Sequence, residues 1–103
     1  MPLVIQFDGP YAAPTIVCDY CEKEITAATD GNYQWSQTAE ANDGAVAAMY
    51  FTHKACCDAF EHAQGDPYAW NAIGLECLPY FLAENLQVSW QEARAKARRM
   101  AGL

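Results

Sequence analysis

Residues 16–25 read Ile16-Val17-Cys18-Asp19-Tyr20-Cys21-Glu22-Lys23-Glu24-Ile25 and place two cysteines three positions apart between apolar flanks. A second pair repeats that spacing in His53-Lys54-Ala55-Cys56, so the whole pattern is C-x2-C, thirty-one residues, then H-x2-C. A structural zinc site needs four nitrogen or sulfur ligands in a closed tetrahedron, and Cys3His is a common set. The spacing therefore predicts one structural Zn2+ per chain, held by Cys18, Cys21, His53 and Cys56. The first pair lies in an extended segment before a turn, where backbone N–H groups can donate to the sulfurs. The second spans the end of a strand and the first turn of a helix, where positions i and i+3 share a face. A helix N-terminus also favours thiolate over thiol.

One choice stays open within the second pair. Cys57 stands four positions after His53 and reaches the same helix face. Cys56 is favoured because its spacing mirrors the first pair. Cys57 would then pack beneath the hairpin with Phe60 and Ala63. Cys77 reads as a core thiol and His62 as a solvated helix residue.

The segment between the pairs predicts a β-hairpin. Tyr33 and Trp35 alternate with Gln34 and Ser36, the pattern of a half-buried strand. Ala45 to Thr52 is a second β-compatible run, with Met49 and Phe51 on one face, and Asn42-Asp43-Gly44 marks the turn before it. From Lys54 the composition turns helical, to a C-cap at Gly65. Further strand and connector signals are Leu3–Phe7, ended by Asp8-Gly9-Pro10, and Asp66–Trp70 with two aromatics. Pro79 suits the first turn of a short helix running to Leu86. Ser89 and Glu92 form a capping box for a last helix with the apolar stripe Trp90, Ala93, Ala97 and Met100, ended by Gly102.

Knuckle, β-hairpin and a helix carrying the second ligand pair resemble the treble-clef zinc fingers. The half-sites C-x2-C and H-x2-C are also similar to the first zinc module of LIM domains, and Lys23 and Ile25 fit such knuckles. The resemblance covers residues 15–64. Glu22 departs from it where many knuckles have glycine, the gap between the pairs is longer than in LIM modules, and the C-terminal helices have no counterpart. The chain further resembles small bacterial proteins with an HKxC-type second half-site, a likeness that implies no activity. The fold class expected is α+β. It is a single domain over 1–103, with a zinc-finger core at 15–64 and a helical extension at 66–103 packed on it.

Charge narrows the function classes. Residues 1–89 hold twelve acidic and two basic side chains, a net of −10, whereas residues 90–103 carry +3. That balance argues against a general nucleic-acid binder, which needs clustered Lys and Arg. No apolar run approaches the roughly 20 residues that span a bilayer. The N-terminus has no Lys or Arg before Lys23, unlike a signal or transit peptide. A cytoplasmic location follows as an expectation, and in a reducing compartment five cysteines read as ligands or buried thiols.

A closed four-ligand site leaves no open position for water or substrate. The expected role is therefore non-catalytic: an interaction or assembly module, with a protein partner of unspecified identity or a second copy in a homo-oligomer. Two other classes compete. In a redox switch, Cys18 and Cys21 close a disulfide and eject zinc. In a cysteine-dependent enzyme, Cys57 acts with His62 or His53 as base. Positions 57 and 62 do not share a helix face, which counts against the latter.

Overall fold

The structure is a computed structural model that describes residues 3–9, 11–37, 46–64 and 70–101. It is a mixed α+β arrangement of two antiparallel sheets and three α-helices. Strands β1 (Leu3–Asp8) and β2 (Tyr11–Ile16) form a two-stranded sheet, turned at Gly9, whose φ of +60° is the left-handed region open to glycine. Only β1 was predicted. Ala12, Ala13 and Pro14 are poor strand formers, and Pro14 is tolerated because a two-stranded sheet leaves β2 with a free edge.

The second sheet has the order β4 (Tyr50–His53), β3 (Gly31–Ser36), β5 (Trp70–Gly74), all antiparallel. The predicted hairpin is its β3–β4 half, with Tyr33 opposite Phe51. β5 was not among the expected elements: within the segment 66–103, read as a connector and a helical extension, Trp70–Gly74 pairs along the other side of β3. Its five residues are too few for a periodic signal, yet Trp and Ile suit a strand, and β3 as a central strand needs partners on both edges. Trp70 then meets Tyr50 and Phe60 in an aromatic cluster with ring centroids 5.2 to 5.9 Å apart.

The half-buried alternation expected in β3 is also corrected. Tyr33 is buried on one face, and Gln34 and Ser36 are buried on the other. Helix α1 (Cys57–Ala63), which follows a 3-10 turn over Lys54–Cys56, supplies a polar partner to that second face. Gln34 donates to Glu61 at 3.2 Å and accepts from the Thr52 hydroxyl at 2.6 Å, so its buried amide is bonded at both ends.

On the opposite face lies the apolar core: Cys18, Ile25, Tyr33, Phe51 and Leu75, with Ile16, Trp35, Ile73 and Leu78 packed against it. Gly31 sits where a Cβ would come within 2.9 Å of Ile25 and 3.0 Å of Leu75, so glycine lets β3 start against the core. A 3-10 turn (Leu75–Cys77) leads into helix α2 (Leu78–Asn85), with Pro79 in its first turn as predicted. Cys77 is half-buried.

Helix α3 (Trp90–Ala101) begins at the predicted cap: Ser89 Oγ accepts the Glu92 N–H at 3.4 Å. Helix α3 lies against β2, so the expectation that it packs on the body is met in part. Its side chains from Trp90 to Met100 are all exposed, Trp90 by 63% and Met100 by 80%. Amphipathic spacing shows that a helix has an apolar face, but not what covers it. The turn signal at 42–44, the cap at Gly65, the connector residues 66–69 and Gly102 lie outside the described residues. Among the described residues, no helix is long and apolar enough to cross a membrane.

Candidate metal centre

The two predicted half-sites come together. One ligand atom from each of Cys18, Cys21, His53 and Cys56 lies within 4.8 Å of the others, a grouping compatible with a bound metal ion. The knuckle itself is a tight turn. Cys18 N–H donates to Lys23 O at 2.9 Å and Glu22 N–H to Cys18 O at 3.0 Å, while Val17 bridges Glu24 and Ile25 N–H reaches Ile16 O. Closing that turn puts Glu22 at φ +63°, the left-handed region that glycine enters without a Cβ penalty. Glu22→Gly is therefore expected to raise the stability of the metal-loaded protein by about 1 kcal/mol. The urea midpoint reads it, and a lowered midpoint would mean that the Glu22 side chain contributes more than the strain costs.

Cys18 is only 1% exposed, and its Sγ accepts backbone N–H bonds from Tyr20 (3.4 Å), Cys21 (3.5 Å) and His53 (3.4 Å). Burial alone would push this thiol up. The backbone N–H groups of Cys21, His53 and Tyr20 oppose burial, and the thiol comes down to about 6. Cys56 moves the other way, to about 11, because it is desolvated and faces the sulfurs of Cys18 and Cys21. A dication among these atoms would turn that repulsion into attraction and favour the Cys56 thiolate.

His53 is held in one tautomer. Nε2 lies 3.2 Å from Glu24 O, and a carbonyl can only accept, so Nε2 carries the proton. The Nδ1 lone pair is left facing Cys21 Sγ at 3.3 Å, the side from which a metal would be bound. The knuckle is tied to strand β4 by Asp19, a residue whose part was not predicted. Its N–H donates to Phe51 O at 2.7 Å, and its Oδ2 accepts the Phe51 N–H at 2.8 Å. An Asp between the two cysteines carries no periodic signal. Only the approach of β4, two residues before His53, reveals it.

Cys57 takes a different direction from Cys56. Its thiol donates to Glu61 Oε2 at 3.5 Å, and burial, then that carboxylate, pushes it up. His62 is engaged through Nδ1 with Asp58 O at 2.8 Å. All five cysteines are free of disulfides. Comparison of the chain with protein-family models, curated proteins and solved structures finds no match.

Proposed function

We propose that the chain is a non-catalytic domain built around one structural zinc ion, ligated by Cys18, Cys21, His53 and Cys56 in a treble-clef-like setting, and that it acts in protein–protein interaction or assembly. The observation that carries this reading is the convergence of the four ligand atoms within 4.8 Å. Two features support a resident metal: the three N–H donors around Cys18 and the fixed His53 tautomer. A donor set of three thiolates and one imidazole suits Zn2+ over the oxygen-seeking Mg2+ and Ca2+. Three thiolates and one dication leave about −1 on the site, so it adds no basic surface for nucleic acid.

Four protein ligands fill a tetrahedron, which supports a structural rather than a Lewis-acid role. The raised Cys57 thiol and its Glu61 contact are the reverse of what an activated nucleophile needs. Function then rests on surfaces outside the site. Native mass spectrometry before and after chelation tests the reading. The expected result is one zinc per chain, lost together with the folded charge-state distribution. A metal-free chain that stays folded would overturn it.

A further inference from the structure

Three apolar features adjoin one another. In the β1–β2 sheet the cross-strand pairs Leu3–Ile16, Ile5–Pro14 and Phe7–Ala12 set apolar side chains on one face. Phe7 is 77% exposed and Ile5 56%. That face runs at Leu3 and Ile16 into an apolar groove of about 380 Å³, lined also by Met49, Phe51, Leu82 and Trp90. Trp90 is the first residue of α3, whose stripe of Trp90, Ala93, Ala97 and Met100 is exposed along its length. A helix of 12 residues is marginal in water unless its apolar face is covered.

We propose that the cover is a second copy of this chain, and that the two copies exchange α3 reciprocally, each laying its basic helix along the apolar β1–β2 face and groove of the other. The inference rests on the reading of the chain as an interaction module and names its partner.

Charge selects the occupant. The segment from Trp90 onward carries +3 and residues 1–89 carry −10, so each copy has what the other's helix seeks. Helix α2, whose Leu78 and Leu82 line the groove, carries Glu84, the turn before it carries Glu76, and no Lys or Arg stands between Trp70 and Ser89. Pairing of α3 with α3 is disfavoured by the same charges. At 100° per residue, Arg94 and Lys96 border the stripe on its two sides, and in an antiparallel pair each border would meet its own copy. Size fits as well. Twelve helical residues span about 18 Å, and the six-residue strand β1 spans about 20 Å. The chain is elongated, 47 × 29 × 22 Å with a radius of gyration of 15.6 Å, where a compact domain of this length has about 13 Å. A two-fold operation satisfies helix and face in both copies at once.

The test is sedimentation velocity on the full-length, zinc-loaded protein at about 10 μM, where a dimer with a sub-micromolar Kd is mostly formed. A mass of two chains is expected. Trp90→Asp with Met100→Asp should weaken association at least about 30-fold, since a buried Trp anchor carries much of an interface, while one zinc per chain is retained. Two charge variants identify the contact. Arg94→Glu/Lys96→Glu/Arg98→Glu and Glu76→Lys/Glu84→Lys should each be weakened alone, and mixing them should give a heterodimer. A zinc-loaded monomer in the unsubstituted protein would overturn the proposal, as would a dimer indifferent to Trp90→Asp/Met100→Asp or two charge variants that do not pair. Missing metal would instead count against the zinc reading.

Discussion

Cys18→Ser is expected to abolish cooperative folding. Cys18 is at once a proposed ligand, the most deeply buried cysteine and a member of the five-residue buried apolar cluster. A domain of 103 residues buries only a modest core and has little stability to spare. Metal binding in comparable Cys/His sites supplies about 10–16 kcal/mol at neutral pH, against a typical whole-domain stability of about 5–15 kcal/mol. Removing one thiolate from a closed set therefore takes away more than the rest of the fold can replace. Serine is nearly isosteric, so the loss would report ligation rather than packing. Cys77→Ser, at a half-buried position outside the metal cluster, should cost about 1 kcal/mol. Circular dichroism melts of both variants, with zinc content measured on the same samples, decide the matter. Equal melting temperatures would contradict the assignment.

How much of this was legible in the sequence depended on whether a feature is local. The two half-sites were readable because each is a three-residue spacing with a chemical requirement behind it, and the structure brings all four side chains to a distance compatible with a shared metal ion. The Ser89–Glu92 cap and Pro79 were readable for the same reason, being set within one helical turn. Gln34 was misread because alternation assigns polar residues to solvent. Its burial depends on α1, which returns about 27 positions later to offer Glu61. Strand β5 was missed because its five residues acquire their conformation from β3, some forty positions upstream. The apolar stripe of α3 was legible as a pattern and the helix does lie against β2, but the stripe itself stays exposed, since the pattern contains no information about the covering surface.

Phe51→Ala should lower both stability and metal affinity, although Phe51 is not a ligand. The side chain is 5% exposed in the core, opposite Tyr33 and two residues before His53. Its backbone N–H and C=O are the two groups that Asp19 grips from the knuckle. Truncating a buried Phe costs about 3–5 kcal/mol in lost transfer energy and cavity. Where the metal-free chain is unfolded, binding and folding are one equilibrium, so that cost passes into the apparent zinc affinity. At tenfold per 1.4 kcal/mol, the affinity should fall by about two to three and a half orders of magnitude. Competition with a chromophoric zinc chelator measures it directly. Met100→Ala, at an 80% exposed position on α3, is the control and should leave the competition curve unchanged. If Phe51→Ala held zinc within about threefold of the unsubstituted protein, that would be under 1 kcal/mol. The four ligands would then be organised by the knuckle and the 3-10 turn alone, and the Asp19 link to β4 would be a consequence of the metal rather than part of what positions His53.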